Sequence, residues 1–244
     1  MTIDDAAPPL DGRAIIEQRW STALFLHWRI EPAAIADRLP PGTRPDLFDG
    51  SAWVGLIPFV LGDFRFLPLP PVPVVGSFVE INVRTYAVDE HGRRGVVFLT
   101  LEAEHLLPVL GARTLFGLPY RWARAGLRVD ERAIEYRSRR HGPGPRPRTR
   151  IRVAPGASPV DTDLSRFLTA RWGFHQSHLG RTIWAANAHE PWPLVSAELD
   201  VLDDDLVADS GFPQLAGRTP DSVLAMPADH PGFITRFTRA HAIE

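Results

Sequence analysis

No cysteine and no lysine occur among the 244 residues of this chain; all 27 of its Lys-plus-Arg positions are arginine. Without thiols there are no disulfides, no cysteine-ligated zinc and no iron–sulfur cluster. Without lysine no side-chain amine forms a Schiff base with a carbonyl substrate. Lysine is ordinarily among the commonest residues, and the 24 prolines and 19 glycines fit the codon drift of a G- and C-rich genome. The chemical consequence is the same whatever the cause.

Net charge and long apolar runs are scarce as well. The formal balance is -2, which argues against the chain as a whole binding nucleic acid electrostatically. No apolar run approaches the ~20 residues of a membrane helix; the longest, Val54 to Gly62, is broken by Pro58 and suits a strand. The opening MTIDDAAPPLDGR is acidic and lacks the apolar segment of a secretion signal. A soluble cytoplasmic protein that binds neither membrane nor nucleic acid is the expectation. The nine histidines include no HExxH pair. The tightest spacing, His175-x-x-His178, would still need a ligand such as Asp161, Asp163 or His189, so no metal is expected. GxSxG, GxxxxGK and GxGxxG are all missing, and no cofactor is expected.

Residues 1–12 read as a flexible arm, and 13–244 as one domain of ordinary size. Strand candidates are Ile15 to Ile30, Ser51 to Gly62, Ser77 to Asp89 and Val96 to Glu104. A hairpin over Gly126 to Arg140, with its tip at Asp130 to Arg132, and strands at Thr182 to Asn187 and Leu194 to Leu202 follow. Helices are few: one after Glu31-Pro32, and one capped by Asp161 or Thr162 and running to Trp172. The chain is therefore mostly β (a β-rich α+β class), with an antiparallel sheet favoured over βαβ units.

Alternation is cleanest in Ser77 to Asp89. Phe78, Glu80, Asn82, Arg84 and Tyr86 fall on one side, and Val79, Ile81, Val83, Thr85 and Ala87 on the other. The apolar side is the packed one, so the polar side meets solvent or walls a cavity; Phe78 and Tyr86 favour the cavity. Charges buried there must find partners. Glu102 and Glu104, alternating on the next strand, would add carboxylates to the same wall. The seven arginines from Arg137 to Arg152 read instead as a solvated ribbon balanced by the acidic stretch Asp200 to Asp209.

The segments FLHWRIEPAAIADRLPPG, FDGSAWVGLIPF, EINVRTY, GARTLFGLPYRWAR and HEPWPL resemble the YqjF-like family of uncharacterised bacterial proteins, over about residues 15–240. That family is similar in fold to acetoacetate decarboxylase, so the resemblance implies a cone-like, mostly antiparallel β-barrel around a small-molecule cavity. Matching the decarboxylase motif places Arg113 on its arginine, Pro119 on its proline, Tyr120 on its Schiff-base lysine and Arg121 on the neighbouring lysine. A phenol forms no imine and arginine stays protonated, so decarboxylation by that route is excluded. The decarboxylase's second cavity glutamate would fall within Ser51 to Val60, which holds no acid, and Glu80 alone matches one of its carboxylates.

Two functional readings follow. In the first, the cavity binds an anionic or carbonyl-bearing small molecule, with Arg84 or Arg121 as charge partner and Asn82 and Arg113 as further contacts. In the second, a lysine-independent lyase or isomerase acts on a keto or carboxylic acid, with Glu80 as general acid or base and Tyr120 as proton donor. Symmetry statistics make a homodimer the default assembly.

Overall fold

Turn residues decide where the strands begin and end in the computed structural model, which describes residues 6–72, 77–105 and 117–243. Thr22, at φ 55°, divides the stretch expected as one strand into β1 (Ala14–Ser21) and β2 (Leu24–Ile30). Asp49 and Gly50, both at positive φ, reverse the chain at DLFDG, an Asp-Gly pair suited to a tight turn. Asp89 accepts from the N–H groups of His91 and Arg93. Asp130 does the same for Arg132 and Ala133, so the two polar loops are Asx turns.

These turns delimit β3 (Thr43–Pro45), β4 (Ala52–Phe66), β5 (Phe78–Asp89), β6 (Arg94–Ala103), β7 (Tyr120–Val129) and β8 (Ile134–Arg140). Then come β9 (Arg148–Pro159), β10 (Gly173–His178), β11 (Arg181–Ala188), β12 (Val195–Asp204), β13 (Ser222–Ala225), β14 (Phe233–Thr238) and β15 (His241–Ala242). The helices are short: α1 (Ala33–Ala36), α2 (Asp163–Thr169) and α3 (Leu206–Asp209). Thr162 caps α2 in a reciprocal box with Ser165, and the helix ends at Thr169, before the Trp172 expected. Strand β7 starts at Tyr120, ahead of the hairpin start expected at Gly126.

The fold is mostly β, with a sheet that is mixed: β6 pairs parallel with β7 and with β10, and the other pairings are antiparallel. Because β4 pairs with β1 as well as with β2 and β5, the sheet closes on itself. One circuit runs β4–β5–β6–β10–β11–β14–β1 and back to β4. A second runs from β6 through β7, β8, β9, β12, β13 and β2 to β4. Strands β4, β5 and β6 belong to both, so β5 is buried along its whole length.

The second circuit is filled, mainly by aliphatic side chains, with Trp28, Tyr136 and Phe212 among them. Leu26, Val54, Leu56, Ile81, Val83, Ile134, Ile151 and Val153 pack there, all inaccessible to solvent. The first circuit is hollow. On the outer face of β8 and β9, Arg137, Arg139, Arg148 and Arg150 are exposed, and antiparallel pairing of β9 with β12 brings acids beside this run. Arg148 meets Asp203 at 3.3 Å, Arg152 meets Asp200 at 3.4 Å, and Arg140 meets Asp209 at 2.7 Å. This is the charge balance expected of the arginine run. Among the described residues no helix is long and apolar enough to cross a membrane.

Candidate functional site

The register of the shared strands builds the site row by row. Cross-strand partners share a face, so Gly55 on β4, Arg84 on β5 and Phe98 on β6 form one row. Ile57, Asn82 and Leu101 form the next, and Phe59, Glu80 and Ala103 the one after. A bulge on β6, between the pairs Val83–Thr100 and Arg84–Phe98, keeps both Phe98 and Leu101 on this face. All except Gly55 and Ala103 line a cavity of about 340 Å³ inside the first circuit, within the range of small-molecule sites. Its far wall comes from β1, β10, β11 and β14, including Trp20, Phe174 and Phe237.

Glu80, Asn82 and Arg84 are thus a polar line on the wall of a cavity that is otherwise mainly apolar. The cavity side of β5 and the packed side of Val79, Ile81 and Val83 are those anticipated from the alternation. Tyr120, on β7 two strands away, lines the same cavity, and its hydroxyl donates to Glu80 Oε2 at 2.6 Å. Burial raises the Glu80 carboxyl to about 7, against the opposing hydrogen bonds from Tyr120 and Asn82. Burial, with the nearby Glu80 charge, pushes the Tyr120 phenol well above its ordinary value.

A pH prediction follows from Glu80. Its folded-state pKa lies above the unfolded value of 4.5, so its contribution is fully present below about pH 4.5 and is lost as pH rises through about 7. Relative to wild type, Glu80→Gln should remove roughly 3 kcal/mol of stability loss between pH 4.5 and pH 8. Urea unfolding of both proteins across that window measures the difference; parallel pH profiles would contradict the assignment.

Arg84 is 9% exposed. Its Nε donates to Tyr86 Oη at 3.3 Å and its Nη2 to the Leu168 carbonyl at 3.2 Å. No carboxylate lies within ion-pairing distance of it among the described residues. Tyr86 Oη donates to the Leu168 carbonyl at 2.9 Å, and His27 Nε2 lies 2.7 Å from Tyr86 Oη. A phenol has one proton, so His27 is the donor and its proton sits on Nε2. Burial and the charges of Arg84 and Arg171 hold His27 well below its ordinary pKa, and therefore neutral. Gly55 makes room for this ring: a Cβ there would stand 2.7 Å from His27 Nε2.

Three expected site residues stand elsewhere. Arg121 is exposed and does not line the cavity; it follows the inward Tyr120 on a strand, where neighbours point to opposite faces. Glu102 pairs across from Ile81, on the packed side of β5, where it holds Arg140 at 2.6 Å. Glu104 accepts from the Val79 N–H at 3.0 Å, and neither carboxylate joins the wall of Glu80. Arg113 lies outside the described residues. His175 and His178 sit on β10, and His175 is buried against Trp184 and bonded to the Arg93 carbonyl. No group of three or more potential metal ligands occurs among the described residues.

The residues that sequence reasoning missed are aromatic and distant in the chain. Trp20 stacks on Trp192 from the EPWP corner (5.6 Å) and meets Phe59 and Phe237 edge-on (5.6 and 6.0 Å). A glycine inside a strand marks close approach, and Gly55 was the one sequence signal for the His27–Tyr86 contact behind the wall.

Comparison with known proteins agrees with this architecture. Among solved structures, an acetoacetate decarboxylase-like enzyme from Sphingomonas wittichii RW1 superposes with a TM-score of 0.64 at 12% identity, covering 96% of this chain and 94% of that one. An acetoacetate decarboxylase gives 0.61 at 12% identity, with 100% and 98% covered. The enduracididine biosynthesis enzyme MppR complexed with pyruvate gives 0.58 at 14% identity, with 96% and 92% covered. In sequence, the uncharacterized protein YqjF of Bacillus subtilis (strain 168) is 34% identical over 194 residues, 78% of this chain and 79% of that protein. Residues 17–229 match the DUF2071 family, described as an uncharacterized conserved protein. A hollow circuit of acetoacetate decarboxylase-like strands, with a tyrosine and no lysine in the chain, is therefore the form that this fold takes in a member of the YqjF-like DUF2071 family, to which the chain belongs.

Proposed function

We propose that the protein binds a small organic anion in this cavity, with the anionic group seated on Arg84 and the apolar body among the cavity walls. The observation that carries this reading is Arg84 itself. It is a buried guanidinium on a cavity wall, without a carboxylate partner among the described residues. The other buried arginine among the described residues, Arg171, is paired with Asp46. Holding an uncompensated charge away from water costs several kcal/mol, and an anionic ligand removes that cost. The similar fold of MppR is seen complexed with pyruvate, which is a small carboxylate. No lysine is available for a Schiff base, and the reading calls for none.

Thermal unfolding with a panel of monocarboxylic acids and their isosteric primary amides tests this at pH 7. Acids should raise the midpoint in a saturable way and the amides should not. Equal effects of acid and amide would contradict the role of Arg84.

The Glu80–Tyr120 contact favours a second reading, in which the bound acid is also a substrate. A carboxyl raised to about 7 and 2.6 Å from a phenol is poised to take up and return a proton near neutral pH. As a lysine-independent isomerase or lyase, the protein would exchange a carbon-bound proton of a bound keto acid in D2O, and Glu80→Gln would stop it. A ligand that binds without any exchange sinks this second reading alone.

A further inference from the structure

We infer that the ligand is an aromatic carboxylic acid carrying a hydroxyl on the side of its ring remote from the carboxylate. This rests on the organic-anion reading and adds the body and the far end of the molecule.

The body follows from how the chain distributes its rings. Of 13 Phe, 7 Trp and 3 Tyr in the sequence, seven Phe, two Trp and one Tyr line this cavity, ten of its 22 described lining residues. The same strands supply the other circuit with Val54, Leu56, Val79, Ile81 and Val83. Trp28, Tyr136 and Phe212 pack in that circuit as well, but from β4, β5 and β6 the rings of Phe59, Phe78 and Phe98 turn to the hollow, and a lining this rich in rings points to the occupant. The rings already meet edge-on: Phe98 and Phe174 at 5.8 Å and 61°, Trp20 and Phe59 at 5.6 Å and 65°. A further ring placed among them continues that packing, which favours edge-to-face and offset contacts. Phe98 stands directly across the strand from Arg84, so a ring attached to the carboxylate by a short linker meets it first.

The far end follows from strand geometry. Glu80 and Arg84 lie four residues apart on one face, so their backbones are about 13 Å apart, and Arg84 extends toward Tyr86, away from Glu80. A single ring with a two-carbon linker, hydrogen-bonded at both ends, has the length to reach from Arg84 and bring its remote edge to Glu80. Tyr120 occupies one oxygen of that carboxyl. A carboxylate offers about four acceptor sites, which leaves room for a ligand hydroxyl.

Isothermal titration of the full chain with 3-(4-hydroxyphenyl)propanoate, 3-phenylpropanoate and 3-cyclohexylpropanoate reads each feature separately. The hydroxylated acid should bind at least tenfold tighter than phenylpropanoate, and phenylpropanoate at least fivefold tighter than its saturated analogue. In Glu80→Leu the hydroxyl preference should fall below twofold while the preference for the ring persists. The unliganded unfolding midpoint of that variant shows that it is folded. Equal binding of the cyclohexyl and phenyl acids overturns the aromatic inference, and a hydroxyl preference that survives Glu80→Leu overturns the placement of the far end. If those failures occur while Arg84→Gln still abolishes binding of every acid, the organic-anion reading stands without the inference. If no acid binds, both fall.

Discussion

Replacing Arg84 by glutamine should weaken binding of any carboxylate in the cavity by at least about 30-fold, the equivalent of roughly 2 kcal/mol. Charge-assisted hydrogen bonds are the stronger class, and here the charge is in a site with little water to screen it. The unliganded variant should remain folded, with a midpoint no lower than wild type and raised by several degrees, because the cost of the unpaired buried charge is gone. Glutamine removes a guanidinium that has no carboxylate partner among the described residues, and Tyr86 keeps its bond to the Leu168 carbonyl. Function and stability therefore separate at this position, a pattern expected where a site is held for a ligand. Calorimetric titration beside thermal unfolding measures both; a fall in midpoint that parallels the fall in affinity would make Arg84 a structural residue.

The second large effect is on stability. Asp46, preceding β4, binds Arg94 through two bonds of 2.7 and 3.0 Å and also pairs with Arg171. Arg171 is 4% exposed and donates to the Phe167 carbonyl at 2.7 Å, and its guanidinium lies over the rings of Tyr86 and Phe167. Burial pushes the Asp46 carboxyl up, but the two guanidinium groups outweigh it and hold the group below its ordinary value. Asp46→Ala leaves Arg171 buried and uncompensated, for which about 3–5 kcal/mol is expected, or a midpoint lower by about 10 °C at this size. Adding Arg171→Met should recover much of the loss, since replacing both partners of a buried pair by apolar groups is often neutral. A loss below about 1 kcal/mol in urea unfolding of Asp46→Ala would show that the pair carries little. The effect reaches the cavity as well, because α2 supplies the Leu168 carbonyl that holds Arg84.

What was legible in the sequence is what depends on period alone. Strand alternation sorted Glu80, Asn82 and Arg84 from Val79, Ile81 and Val83, and a buried polar face demanded either partners or a cavity. Turn chemistry located the loops at Asp89 and Asp130. Pairing register was not legible, and Glu102 is the consequence: it stands opposite Ile81 instead of Glu80, which turns it to the other face. The same limit applied to Arg121, where one step along the strand from Tyr120 reverses direction. Circuit closure is a property of the whole sheet. Trp20, Phe174 and Phe237 share a wall only because β1 returns to β4 and β10 runs parallel to β6, and no local pattern announces either pairing. The fold family was readable because separated motifs matched at once. The chemistry was bounded by an absence: with no lysine in the chain, no lysine-borne Schiff base is available, and the structure shows Tyr120 bonded to Glu80 in the cavity.

Native mass spectrometry of the purified full chain, mixed with the acid panel and sprayed under non-denaturing conditions, tests the cavity assignment most directly. Wild type should retain one organic acid per chain, Glu80→Gln should retain it as well, and Arg84→Gln should lose it. Retention of the same acid by wild type and Arg84→Gln alike, or retention of none by wild type, would contradict an anion seated on Arg84.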